Sequence, residues 1–209
     1  MKTAFWNVDT QYDFMRPEGA LYVQGAEKIE GNLAKLTKFA REKGIKIINT
    51  ADRHNEKTEE IAFPPGKADF INTFPPHCME GTKGAQFIPA TEPDNPYIID
   101  WKGTGFDAEK IKAAKEVVMY KDKFGIFAGN KYADAITNLI VPEQVIAYGV
   151  ATNVCVNQAV LGLLERKRNV FVVEDAIKEL PIPGLEKILG AWTAQGAKLI
   201  KTNEIARYL

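Results

Sequence analysis

Val145-Ile146-Ala147-Tyr148-Gly149-Val150-Ala151-Thr152-Asn153-Val154-Cys155-Val156 changes its periodicity part-way along. Residues 145–150 form a continuous apolar run, the pattern of a strand buried on both faces. From Val154 onward the apolar positions recur as Val156, Val160, Leu161 and Leu164, a helical spacing. Thr152 or Asn153 is placed to cap that helix, which puts the Cys155 thiol in its first turn. Unpaired N–H groups and the helix dipole at such a position favour the thiolate, the nucleophilic form of cysteine. The alternative is an inert thiol buried for packing, a common state of free cysteine.

The same strand-to-helix alternation repeats along the chain. Further strands are expected at 4–8, 45–51, 97–99, 117–120, 169–173 and 198–201, and helices at 26–43, 108–116, 131–140, 154–168 and 184–195. The clearest helix carries Ile29, Leu33, Leu36, Phe39 and Ala40 on one face and stops at Gly44. Buried strands alternating with amphipathic helices predict a three-layer α/β/α fold with a mostly parallel central sheet. No repeat or linker interrupts the pattern, so one domain over 1–209 is expected. The exception is 55–94, rich in Pro and Gly; an irregular stretch of that length in a compact domain is usually functional or poorly ordered.

Composition narrows the function. The 209 residues carry 27 basic and 27 acidic side chains, with no basic tract for nucleic acid and no long acidic run. Two cysteines, Cys78 and Cys155, do not make a disulfide framework. The N-terminus lacks the architecture of a signal peptide and no segment reaches transmembrane length, so a cytoplasmic setting without nucleic-acid or membrane partners is expected.

In open α/β sheets ligands bind beyond the carboxyl ends of the strands. Four expected strands end on chemically capable residues: Asp9, Asp52, Lys121 and Cys155. A cysteine nucleophile needs a base and a cation, roles open to Asp9 and Lys121, and the N–H groups of Ala151 and Cys155 could hold an oxyanion. Asp52 and His54 stand two apart after a strand, and His77 lies in the irregular stretch; one carboxylate and two imidazoles suit zinc, iron or manganese. As alternatives, Asp52 could cap a turn and His54 could be a surface residue.

These residues, taken together with their neighbours, resemble a family. Val8-Asp9-Thr10-Gln11-Tyr12-Asp13-Phe14, Glu18-Gly19-Ala20-Leu21-Tyr22-Val23-Gln24-Gly25-Ala26, the Asp52/His54 pair, Phe74-Pro75-Pro76-His77-Cys78-Met79-Glu80-Gly81-Thr82-Lys83-Gly84-Ala85, Gly149 to Val156 and Val172-Val173-Glu174-Asp175-Ala176 are similar, in order, to the nicotinamidase/isochorismatase-like cysteine hydrolases. The Pro-Pro-His-Cys element most resembles the nicotinamidase (pyrazinamidase) branch. The resemblance implies a catalytic triad of Asp9, Lys121 and Cys155, and an oxyanion hole from Ala151 and Cys155 formed by a cis peptide at Val150–Ala151. It implies a metal, zinc foremost with iron or manganese as alternates, on Asp52, His54 and His77, binding the pyridine nitrogen of nicotinamide. Phe14 matches an aromatic packed on that ring, and Phe74 a position often held by tryptophan. A small amide substrate and a homo-oligomer are further implications.

Three features depart from the branch. A further histidine common after the Asp-x-His pair is missing; Glu60 stands at the simplest corresponding spacing, with Glu56 and Glu59 nearby, and each is expected to be a surface charge. Lys121-Asp122-Lys123-Phe124-Gly125-Ile126-Phe127 resembles the shorter lysine loop of isochorismatase- and carbamoyl-hydrolase-like members, with Lys102 a rival for the lysine role. The proline-rich stretch 88–101 carries no assignable feature. The implied reaction is nicotinamide to nicotinate and ammonia. Its alternatives are a related amidohydrolase acting on another small amide or N-carbamoyl compound, or a silent binding protein.

Overall fold

The computed structural model describes residues 2–62, 64–181 and 183–209; position 63, inside the irregular stretch 55–94, lies outside the described residues. The strands are β1 (Thr3–Val8), β2 (Lys46–Asp52), β3 (Tyr97–Ile99), β4 (Glu116–Lys121), β5 (Gln144–Val150), β6 (Asn169–Lys178) and β7 (Lys198–Ile200). They form one parallel sheet in the order β3-β4-β2-β1-β5-β6-β7. The helices are α1 (Tyr12–Met15), α2 (Glu30–Glu42), α3 (Ala108–Ala113), α4 (Ile126–Gly129), α5 (Ala133–Ile140), α6 (Asn157–Glu165) and α7 (Leu185–Ala194). Among the described residues, no helix is long and apolar enough to cross a membrane.

Alternation along the strands divides the core in two. Phe5, Ile47, Ile146 and Tyr148 share one core with Leu33 and Leu36 of α2. Trp6, Ile48, Val145 and Ala147 share the other with Val160 and Leu163 of α6 and Trp192 of α7. This is the three-layer arrangement expected from the sequence. The position before α2, Ile29, supplies no side-chain cap. Burial of Leu33 and Leu36, each worth about 2 kcal/mol, therefore outweighs a missing cap worth about 1 kcal/mol. Gly44 at φ 64° ends the helix, and the Ile45 N–H bonds back to the Ala40 carbonyl at 2.8 Å.

Several expected elements differ in extent: the helix expected at 26–43 opens with a 3-10 turn, Ala26–Ile29, before α2, the one expected at 108–116 stops at Ala113 so that Glu116 opens β4, and the one expected at 154–168 is α-helical only over 157–165. β6 continues past 173 to Lys178, because its register with β5 shifts between Ala147 and Gly149 and then pairs Ile177 with Gly149. That irregularity accommodates Glu174 and Asp175, whose polarity hides the continuation in the sequence; the Asp175 carboxylate accepts the Thr202 N–H at 2.8 Å. The helix expected at 131–140 is found as α5, starting at Ala133; the short α4 before it was not expected and ends at Asn130, whose side chain is buried and donates to the Tyr120 and Ile99 carbonyls.

The chain order places β1, β2 and β4 on one side of the sheet and β5 to β7 on the other. The direction of winding reverses between β1 and β5, which opens a crevice above their carboxyl ends.

Candidate active site and metal centre

The sheet register assembles the polar cluster. Parallel pairing of β2 with β4 sets Asp52 beside Lys121, and pairing of β1 with β2 ends just before Asp9. The Lys121 ammonium lies 2.9 Å from Asp9 Oδ2, donates to Asp52 Oδ1, and lies 3.7 Å from Cys155 Sγ. Asp9 Oδ1 accepts the Thr50 hydroxyl at 2.7 Å. All four reactive side chains are buried. Lys102, the rival lysine, pairs with Glu80 at 2.5 Å at the surface and takes no part.

Cys155 reaches the cluster through an irregular turn. Gly149 has φ 121°, and a Cβ there would lie 2.1 Å from the Val8 carbonyl oxygen, so β5 can lie against β1 at this point only as glycine. The Val150–Ala151 peptide is cis. A π-helical turn, Thr152–Val156, then precedes α6. The Ala151 carbonyl accepts from Val154 and Val156, at 3.0 and 3.1 Å, and the Cys155 N–H between them is not among its donors. Neither Thr152 nor Asn153 caps the turn, contrary to the sequence reading. The Thr152 hydroxyl is buried without a partner, and the Asn153 amide is engaged by Leu180.

Charge and burial set the protonation states. Burial drives the Cys155 thiol well above its ordinary value; Lys121 pulls it down, but Asp9 and Asp52 oppose that pull. Desolvation and the two carboxylates thus favour the thiol and oppose the thiolate expected from a position near a helix start. Burial likewise raises Asp9 against the attraction of Lys121. Burial also opposes ionisation of Asp52, yet the Lys121 ammonium beside it holds it well below the usual carboxylate range. Burial disfavours the Lys121 charge, but Asp52 and Asp9 overcome it and the ammonium persists.

Asp52 faces two ways. Its Oδ1 takes Lys121, while Oδ2 lies 3.7 Å from both His54 Nε2 and His77 Nε2. The His77 Nδ1 lies 2.8 Å from the Pro75 carbonyl, so that nitrogen carries the proton and Nε2 turns a lone pair toward the carboxylate. His54 is fully buried, and neither ring nitrogen has a hydrogen-bond partner. The lone pair of His77 Nε2 and a carboxylate oxygen repel unless a cation lies between them, and His54 presents a second unpartnered nitrogen to the same oxygen. Ligands about 2.1 Å from a tetrahedral metal stand about 3.4 Å apart, and the atoms of Asp52, His54 and His77 all lie within 4.8 Å of one another. The donor set thus fits a divalent ion such as zinc, and the surface and turn-capping alternatives for these residues do not hold.

Two positioning groups, Gln11 and Asp13, lie within the Val8–Phe14 motif, but the sequence assigned them no role. Gln11, fully buried, accepts the Asp52 N–H at 2.7 Å and donates to the Asp52 carbonyl at 2.8 Å. Asp13 accepts the Cys78 N–H at 2.7 Å, and Gly84 packs so close that a Cβ would lie 2.1 Å from its carboxylate. The 77–85 segment is thereby fastened so that His77 meets His54 with ring centroids 4.8 Å apart.

Above the cluster lies a cleft of about 340 Å³, counted with its open mouth, walled by Phe14, Phe74, Phe124, Val154 and Leu180 with His77 and Cys155 at its base. Ala151 also lines it. Phe124 meets Phe74 edge-on at 5.3 Å. Glu56 and Glu59 are exposed as expected. Glu60 is partly buried instead: one carboxylate oxygen accepts the Phe124 N–H at 2.9 Å, the other is buried without a partner, and burial pushes its carboxyl up to about 7. The stretch 88–101 packs against the segment after β2, with the Trp101 indole donating to the Arg53 carbonyl at 3.1 Å.

Comparison with known proteins agrees with this architecture. The isochorismatase domain family matches residues 3–114 and 101–204. The chain is 26% identical over 163 residues to the nicotinamidase/pyrazinamidase of Mycobacterium tuberculosis, covering 72% of this chain and 73% of that protein. It is 23% identical to a probable inactive nicotinamidase of Arabidopsis thaliana over 83% of this chain and 79% of that one. The structure of the Pyrococcus horikoshii pyrazinamidase in complex with zinc superposes with a TM-score of 0.75 at 26% identity, covering 96% of this chain and 99% of the other.

Proposed function

We propose, from the premise that this chain belongs to the isochorismatase domain family, that it is a cysteine amidohydrolase of the nicotinamidase branch, acting as a single domain over 1–209 and converting nicotinamide to nicotinate and ammonia. The observation that carries the reading is the meeting, in one aromatic cleft, of Cys155 with the cation-ready set Asp52, His54 and His77. Among the described residues lining the cleft there is no lysine or arginine. A carboxylate would find no side-chain cation in that lining, which favours a flat neutral amide as substrate.

The chemistry follows from the protonation states. Cys155 Sγ attacks the amide carbon while its proton passes to Asp9, whose raised carboxyl makes it a better base than an exposed aspartate. The N–H groups of Ala151 and Cys155 face the oxyanion. The nitrogen takes the proton back from Asp9, the C–N bond breaks and ammonia departs, leaving a thioester on Cys155. Water then attacks that thioester with Asp9 as base, and the proton returns to the sulfur as the acid leaves. Lys121 keeps its charge throughout and balances Asp9 and Asp52. A divalent metal on Asp52, His54 and His77 would hold a ring nitrogen and so orient the amide toward Cys155.

The short loop carrying Phe124 favours one further reading, an amidohydrolase for another small amide or N-carbamoyl compound. The presence of Asp9, Lys121 and Cys155 in one cluster supports an active enzyme over a silent one. Ammonia release from nicotinamide by the purified protein, with and without a chelator, tests the proposal. Release that the chelator suppresses is the expected result. No release, with Cys155 still open to alkylation, would overturn nicotinamide as the substrate.

A further inference from the structure

Asn153 lies two residues before Cys155 and takes no part in the chemistry above. Its side chain makes a reciprocal pair with the backbone of Leu180: Nδ2 donates to the Leu180 carbonyl at 3.0 Å, and Oδ1 accepts the Leu180 N–H at 3.0 Å. Such a pair copies one hydrogen-bonded rung of an antiparallel strand ladder and needs both a donor and an acceptor on one planar group, which among side chains of this length only an amide provides. Leu180 lies just beyond β6, where sheet pairing has ended at Lys178. Among the described residues its backbone N–H and carbonyl have no partner other than Asn153. The Leu180 side chain lines the cleft together with Val154 and Cys155.

We infer that Asn153 is a positioning residue that clamps Leu180 as a wall of the acyl-acceptor cleft, and so limits the width of what reaches Cys155. The substrate named in the test rests on the function proposed above; the clamp itself rests on the geometry alone. An aspartate at 153 has the same size. As a carboxylate it still accepts the Leu180 N–H but sets an oxygen against the Leu180 carbonyl, so half of the pair turns repulsive.

The test compares Asn153→Ala, Asn153→Asp, Leu180→Ala and the Asn153→Ala/Leu180→Ala double variant with the wild type. The first readout is the rate of Cys155 alkylation by N-phenylmaleimide relative to iodoacetamide, followed by the mass of the Cys155 peptide so that Cys78 does not contribute. Loosening the wall should raise this ratio in Asn153→Ala and in Leu180→Ala, with Asn153→Asp intermediate and no further rise in the double variant, because both changes act on one wall. In nicotinamide hydrolysis, Asn153→Ala should raise KM by about tenfold, the scale of a lost apolar contact in a pocket, with kcat nearly unchanged. An unchanged alkylation ratio, additive effects in the double variant, or a fall in kcat and in both alkylation rates alike would overturn the clamp. Should Asn153→Ala not fold, Asn153→Asp and Leu180→Ala carry the same comparison. If the wild type leaves nicotinamide intact, the function proposed above fails, while the alkylation ratio still decides the clamp.

Discussion

Replacing Lys121 by methionine removes one charge from a buried triad of charges at nearly constant volume. The ammonium lies 2.9 Å from Asp9 and bonds to Asp52, and all three side chains are at most 2% exposed. Removing one partner of a buried pair costs about 3–5 kcal/mol, since the remaining charge is left in a poorly polarisable setting. Here two carboxylates are stranded rather than one, but Asp9 is already raised and takes up a proton readily, so the single-pair figure is retained. For a chain of 209 residues, an unfolding entropy of about 2.1 cal/mol/K per residue converts this into a fall in Tm of about 7–11 °C.

The sign with pH is specific. In the wild type Asp52 is depressed below its unfolded value, so its contribution is present at neutral pH and is lost as pH falls through the folded pKa. In the variant burial acts on both carboxylates without the lysine, their folded pKa values rise above the unfolded one, and stability falls as pH rises through that window. The deficit against wild type should therefore be largest at neutral pH and shrink toward the acid side. Urea unfolding of chelator-treated protein at neutral and mildly acid pH reads it, chelation preventing a metal on Asp52 from substituting for the missing charge. A deficit under about 1 kcal/mol at neutral pH, or one that grows on acidification, would refute the electrostatic account.

Cys155→Ala should abolish turnover while leaving the urea midpoint within about 1 kcal/mol of wild type, since it deletes one buried sulfur; substantial residual amidase activity would sink the covalent route. His77→Ala should abolish stoichiometric metal in elemental analysis and weaken substrate binding, and unchanged metal content would remove His77 from the donor set. Glu60→Gln should stabilise chelated protein above about pH 7 by about 1–2 kcal/mol, after discounting for partial exposure, with the difference vanishing below about pH 4.5. The sign follows because the carboxyl, raised to about 7 in the folded state, opposes folding once ionised; equal pH profiles for the two proteins would contradict it.

Sequence by itself determined the layers and the inventory. The apolar runs and the helical face of Leu33 and Leu36 fix which segments are strands and helices, because burial of those side chains is a local pattern with a fixed period. It also placed Asp9, Asp52 and Lys121 at or just beyond strand ends, and the resemblance named them with His54, His77 and Cys155 as one set. Only the tertiary structure decided their relations. That Lys121 sits between Asp9 and Asp52 follows from strand order and register, which pair residues 69 positions apart. The turn bearing Cys155 is π-helical rather than a capped α-helix, and Asn153 turns away to Leu180, a partner 27 residues along the chain. The thiol form of Cys155, the inward turn of Glu60 and the service of Gln11 to Asp52 depend on desolvation and on partners distant in sequence. Those forces act through space, so no local pattern in the chain records them.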